Sequence, residues 1–221
     1  MPTAAIFLFH FCHFLVSQGK ALPFGKLVSF VKTLYLPLIR QIKRKMIMQR
    51  TNEMGTAVVT GASSGLGEVF AERLAQRGYD LILVARREER LEKSAKKLRE
   101  QYSIEVENIV ADLSAMADLE KVADAISGNA KITMLVNNAG TSTLAPFTGT
   151  PVQKQLAMIN LNITALTLLS GAVLPGFKQR DRGTLINIGS AVGFHSLAFT
   201  GIYSGTKVIC GKLYARTSGR A

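Results

Sequence analysis

The sequence predicts an α/β fold, a doubly wound parallel sheet in a single domain over residues 55–221, behind an apolar and basic N-terminal extension over 1–54. Three observations predict it. From Gly55 onward, short β-branched runs alternate with helix-patterned segments. The strand runs are apolar along both faces, as strands covered on both sides must be. The first run also ends in a glycine-rich turn, "TGASSGLG" (60–67), that opens directly into a helix.

Taken in order, "TAVVT" (56–60) is the first strand and "GEVFAERLAQR" (67–77) the helix after the glycine turn. "DLILVA" (80–85) is the second strand. "EERLEKSAKKLREQY" (88–102) places Leu91, Ala95, Leu98 and Tyr102 at steps of four, three and four, one face of a helix whose charges are solvated. "VENIVA" (106–111), "ADLEKVADAI" (117–126) and "ITMLVNNAG" (132–140) continue the alternation. A long helix spans about 152–179, "GTLINIGS" (183–190) is the fifth strand, and a last helix begins near Tyr203. The expected order across the sheet is 106–111, 80–85, 56–60, 132–136 and 184–188. No internal repeat or low-complexity segment interrupts it.

A chain of 221 residues, 48% hydrophobic and 19% charged, is globular in composition. Its net charge of +12 is uneven. Residues 1–54 hold eight Lys and Arg against one acid, while 55–221 hold nineteen against fourteen. No groove-reading motif or aromatic–basic platform accompanies the excess, so nucleic acid is not an expected partner. Cys12 and Cys210 belong to no Cys-x-x-Cys or Cys/His cluster, which points to a reducing compartment and no structural zinc. His10 and His13 lie three apart with no third ligand nearby, so no metal is expected.

The extension has its own character. "AAIFLFHFCHFLV" (4–16) is thirteen uncharged residues, short of the ~20 of a membrane-spanning helix. "LVSFVKTLYLPLI" (27–39) is followed by the basic "RQIKRKMIMQR" (40–50), a pairing suited to peripheral contact with a membrane surface. The other reading is a mis-called start, since Met46, Met48 and Met54 all precede the first strand. Localisation is accordingly cytoplasmic or, by the first reading, membrane-associated.

Gly61, Gly65 and Gly67 allow tight turning and close backbone approach where the strand meets the helix. The helix N-terminus there offers free N–H groups and a positive dipole end to a pyrophosphate. Farther on, Tyr203 and Lys207 are spaced one helical turn apart. A free phenol titrates near about 10 and exchanges protons poorly at neutral pH unless a positive charge stabilises its phenolate. A lysine on the same helix face can supply that charge.

Five pieces in order, "TGASSGLG", "ADL" (111–113), "NNAG" (137–140), Asn160, and Ser190 with "YSGTK", resemble the short-chain dehydrogenases/reductases of the classical type, over Gly55 to about Tyr214. The resemblance implies a Rossmann-like sheet and an oxidoreductase moving a hydride between a nicotinamide cofactor and a small-molecule carbonyl or alcohol. It implies Tyr203 as general acid/base, with Lys207 as its electrostatic partner and a donor to the nicotinamide ribose. Ser190 would hold the substrate oxygen and Asn160 a water linked to Lys207. The implied cofactor contacts are Gly61, Ser63, Ser64, Gly65, Leu66, Gly67, Arg86, Asp112, Leu113, Asn138, Ala139, Gly140, Tyr203 and Lys207. Asn137 reads as structural, Asn162 as an ordinary polar helix residue, and His195 as a pocket wall.

The second strand ends "VARREER", with Arg86 at the position where an acid would bind a ribose 2′-hydroxyl. An arginine there, with Ser63 in the turn, favours NADP(H) over NAD; Asp80 begins the strand, at the end away from the ligand. The family's sheet continues past the Tyr–Lys helix with two further strands, and "GKLYARTSGRA" (211–221) does not read as one. The expectation is therefore a C-terminally truncated reductase whose activity, and the homo-oligomerisation usual for the intact fold, stand open. Its alternative is a non-catalytic nucleotide-binding remnant.

Overall fold

The computed structural model describes residues 54–195 and 197–217. The extension over 1–53, and with it the expected membrane contact, Cys12 and the two N-terminal histidines, lies outside the described residues, as do Ser196 and 218–221.

Five strands form one parallel sheet: β1 (Thr56–Thr60), β2 (Asp80–Ala85), β3 (Val106–Val110), β4 (Ile132–Asn137) and β5 (Thr184–Asn187). Their spatial order is β3-β2-β1-β4-β5, as the alternation predicts. The registers Thr60↔Val84 and Asn137↔Asn187 align the C-terminal ends of the strands along one edge of the sheet. The loops that follow them gather there, where open α/β sheets bind ligands.

Helices α1 (Gly65–Gln76) and α2 (Glu88–Tyr102) cover one face; α3 (Met116–Ile126) and α5 (Ala165–Gln179) cover the other. The alternation of side chains along each strand separates the two cores. Ala57, Val59, Leu81 and Leu83 pack with Leu74, Leu91 and Leu98. Val58, Ile82 and Val84 pack with Leu119, Val122, Leu169 and Val173. Val58, Val59 and Leu83 are fully buried, so truncating any of them costs the packing of a closed core.

Two elements differ from the sequence expectation. The long helix over 152–179 is broken: α4 (Val152–Ile159) passes through a π turn (Asn160–Thr164) before α5 begins. The last helix, α6 (Gly201–Thr217), runs through residues whose composition suggested a tail. Leu213, Ala215 and Arg216 are good helix formers, and Gly211 costs only about 1 kcal/mol within the run. By length and hydropathy alone the helix over Val152–Gln179 would suffice to cross a membrane. Its residues Leu166, Leu169, Val173 and Phe177 are instead buried on the sheet.

Candidate active site

Thr60, the last residue of β1, organises the floor of the site. Its hydroxyl donates to the Val136 carbonyl (3.3 Å) and accepts the N–H groups of Asn138 and Ala139 (3.0 Å each). Asn138 returns the tie, its side-chain amide donating to the Thr60 carbonyl at 2.9 Å. Asn138 was expected as a cofactor contact; it lines the cleft, but its N–H donors are committed to β1. Asn137 is structural as read, donating to Ser170 Oγ (3.1 Å) and Asn187 Oδ1 (3.0 Å). Asp80 accepts the Glu105 N–H at 2.9 Å, at the start of β2 and away from the site.

Two glycines of the turn, Gly61 and Gly67, are packed too closely for side chains. Gly61 adopts φ +67°, and a Cβ on Gly67 would lie 2.2 Å from the Gly61 carbonyl oxygen. The helix start is thereby drawn against the turn. Gly65 and Gly67 shape the backbone without lining the cavity, whereas Gly61, Ser63, Ser64 and Leu66 line it.

That cavity, about 710 Å³, runs along the C-terminal edge of the sheet. Its walls include Arg86, Asp112, Leu113, Asn138, Ala139, Gly140, Tyr203 and Lys207. Thr141, Ser142, Leu161, Ile188 and Gly189 join them. The length of the cleft, its glycine-turn cradle and its arginines suit a dinucleotide.

Two arginines stand at the β2 end. Arg87 grips the glycine turn, Nη2 donating to Ser64 Oγ at 2.7 Å and to Ser63 Oγ at 3.0 Å. Arg86 is largely exposed and lies 3.7 Å from Asp112. The Ser114 hydroxyl, 2.7 Å from Asp112, holds that carboxyl below the ordinary carboxylate range, with a smaller contribution from Arg86. Arg87 was not foreseen, although "ARREER" offers two consecutive arginines.

At the other end Lys207, 8% exposed, donates from Nζ to the Ile188 carbonyl at 2.8 Å. The same Nζ lies 5.9 Å from the centroid of the Tyr203 ring. Burial pushes the neighbouring Cys210 thiol upward, opposed in part by the Lys207 charge.

Asn160 is not where the sequence reading put it. Its side chain is exposed and reaches toward the Ser114 carbonyl at 3.4 Å. Asn162 is buried instead, donating to the Thr141 carbonyl (2.9 Å) and Thr206 Oγ1 (3.0 Å) and accepting the Thr141 N–H (3.0 Å). The point that a Cβ on Gly140 would occupy lies 3.3 Å from Asn162 Oδ1 and 3.6 Å from Lys207 Nζ, so both groups converge there. The signal was present: Asn162 continues the buried stripe Gln155, Met158, Ala165, Leu169, and Asn160 falls off it.

Ser190 follows the cleft residue Gly189 and leads into a short 3-10 turn, Ala191–Gly193, with its hydroxyl making no capping bond. His195 is exposed and lines neither the cleft nor the smaller pocket beside Tyr203, unlike the wall it was read as. Among the described residues no cluster of His, Cys, Asp and Glu could hold a metal.

The family model described as short chain dehydrogenase matches residues 55–217. A very-long-chain 3-oxoacyl-CoA reductase of Danio rerio is 38% identical over 155 residues, 68% of this chain and 48% of its own. The chain thus spans about half the length of such relatives. A short-chain dehydrogenase from Sphingobium yanoikuyae, solved in complex with NADPH, superposes with a TM-score of 0.72 at 42% identity, covering 73% of this chain and 63% of that one. The bulky-bulky ketone specific alcohol dehydrogenase from Comamonas testosteroni gives 0.72 at 38%, covering 73% and 65%.

Proposed function

The chain belongs to the short-chain dehydrogenase family, and on that premise we propose that it transfers a hydride between NADP(H) and a carbonyl or alcohol substrate. The observation that carries this reading is the position of Tyr203. It lines both the long cleft and a smaller pocket beside it, so one phenol borders the space for a cofactor and the space for a substrate.

The glycine turn with Ser63 and Ser64 would hold the phosphates, and Arg87 with Arg86 the 2′-phosphate. Asp112 and Leu113 would border the adenine, and Lys207 would donate to the nicotinamide ribose. When bound, the nicotinamide supplies or accepts the hydride. Tyr203 gives its hydroxyl proton to the carbonyl oxygen in reduction and takes it back in oxidation. Lys207, whose Nζ lies 5.9 Å from the Tyr203 ring centroid, would favour the phenolate left behind by its positive charge. Asn162, rather than Asn160, is the positioning residue: it holds the Thr141 backbone and the Tyr203-bearing helix in place around Gly140. Ser190, with its hydroxyl uncommitted to the turn, would orient the substrate oxygen. NADP(H) is favoured by the arginine pair and by the NADPH complex of the Sphingobium relative.

Titration of the purified chain with NADPH, followed by ketone-dependent loss of its absorbance, tests the proposal. Tight binding with turnover that Tyr203→Phe lowers ~10²–10⁴-fold is expected. Binding without turnover of any ketone would support the non-catalytic remnant instead.

A further inference from the structure

Beside the cleft lies a second cavity of about 350 Å³, which shares Tyr203 with it as a wall. Its walls come from the segment after β4 (Thr143, Ala145, Phe147), from Met158 of α4, and from Phe199 and Ile202 at the start of α6. No charged side chain lines it. Its buried polar groups are already satisfied: Gln155 Nε2 donates to the Phe147 carbonyl (3.1 Å) and the Thr150 carbonyl (3.0 Å), and Thr200 Oγ1 donates to the Leu197 carbonyl (2.7 Å). No charged group in the pocket asks for a partner.

Two of the pocket's lining side chains, Phe147 and Phe199, are 67% and 60% exposed, and the same two neighbouring loops expose Leu144 (75%) and Leu197 (59%), an unusual group of large hydrophobic side chains. The loops are tied together by the Ala145 N–H, which donates to the Phe199 carbonyl at 3.3 Å. Phe199 itself sits at φ +65°, a conformation that few residues other than Gly, Asn and Asp adopt readily. An aromatic ring is therefore kept on this wall against its backbone preference.

Resting on the oxidoreductase reading, we propose that this pocket receives an uncharged hydrocarbon substituent of the substrate, a ring or alkyl chain, with the reacting carbonyl at Tyr203. Continuity through Tyr203 makes the occupant part of the molecule being reduced. A carboxylate or phosphate inside would lose its hydration and meet no charged side chain. Substrates are then ranked by apolar bulk on one side of the carbonyl.

The test compares a phenyl or hexyl methyl ketone with acetone in the full chain and in Phe199→Asp, a residue suited to φ +65° that places a carboxylate on the wall. The ratio of kcat/KM, large over small, is expected to exceed ~10 in the parent chain, since each methylene in an apolar pocket is worth ~10-fold or more. In Phe199→Asp the ratio should fall by at least ~10-fold, while NADPH affinity reports that the fold is intact. If no ketone turns over, the reductase reading fails separately. Binding of 1-phenylethanol to the NADPH-loaded chain, seen by saturation-transfer NMR and lost in Phe199→Asp, then still supports the pocket. A ratio near one, a preference for charged keto acids, or alcohol binding indifferent to Phe199→Asp overturns the proposal. So does a Phe199→Asp chain that releases from neutral lipid vesicles without any change in ratio, which would make the rim a membrane contact.

Discussion

Arg87 and Arg86 are adjacent in sequence yet face different duties, and the difference can be measured. Arg87 is held over the glycine turn by two serine hydroxyls, whereas Arg86 leans on Asp112 from a largely exposed position. Charge-assisted hydrogen bonds are worth ~1.5–3 kcal/mol each. Arg87→Asp should therefore weaken NADPH by ~10–100-fold and NADH much less, because only NADPH carries the 2′-phosphate. Arg86→Asp should show the same preference to a smaller degree. Isothermal titration with both cofactors checks this, and equal losses for NADPH and NADH would place neither arginine at the 2′ position. For the asparagines, Asn162→Ala should lower turnover while Asn160→Ala leaves it unaltered. Removing Asn162 frees the Thr141 backbone beside Lys207, whereas Asn160 makes one long surface bond. The pH profile of kcat would move only for Asn162→Ala if that residue serves the Lys207 site, and a bare loss of stability would leave its shape intact.

At the scale of elements, β1, β2 and β4 were readable because each is a short apolar run buried on both faces, and the edge strands β3 and β5, only partly buried, were readable from their place in the alternation. β1 and β2 need no tertiary context to be recognised. The breaks in the helices were not readable in the same way. A π turn adds no distinctive residue to "INLNITAL", even though the buried stripe that runs through Asn162 could be followed across it. Such turns recur at functional sites. The side-chain grip of Arg87 on the serines was also invisible, since it depends on how the loop after β2 crosses the glycine turn. The tight contact of Gly67 with Gly61, by contrast, follows from the glycine spacing, and it can be probed. Gly67→Ala would force a Cβ against a backbone carbonyl at 2.2 Å, with no flexible side chain to yield. Overpacking of this kind costs ~1–3 kcal/mol. The melting temperature should fall by ~2–12 °C, with a loss of NADPH affinity, because the turn must open. An unchanged melting curve would mean that the helix start slides away without strain.

For the molecule as a whole, the described residues that line the cleft and the apolar pocket all fall between Gly61 and Lys207. Cofactor binding is thus expected to be independent of the first 53 residues, and a chain beginning at Met54 should titrate NADPH like the full one. The extension carries a different property. It holds eight basic residues against one acid, together with two apolar runs. We propose that it acts as a peripheral membrane contact for the reductase domain. Each Lys or Arg near an anionic bilayer surface contributes ~1 kcal/mol, an attraction that decays within a Debye length of ~8 Å at physiological salt. The full chain should then sediment with vesicles containing phosphatidylserine and much less with phosphatidylcholine alone, and the chain from Met54 should remain in the supernatant. Raising salt to about 1 M shortens the Debye length to ~3 Å and separates two modes of attachment. Purely electrostatic binding is released, whereas burial of the apolar runs, each CH₂ worth ~0.8 kcal/mol, keeps the protein on the lipid. Sedimentation of both chains alike, or of neither at low salt, would remove the membrane role from the extension.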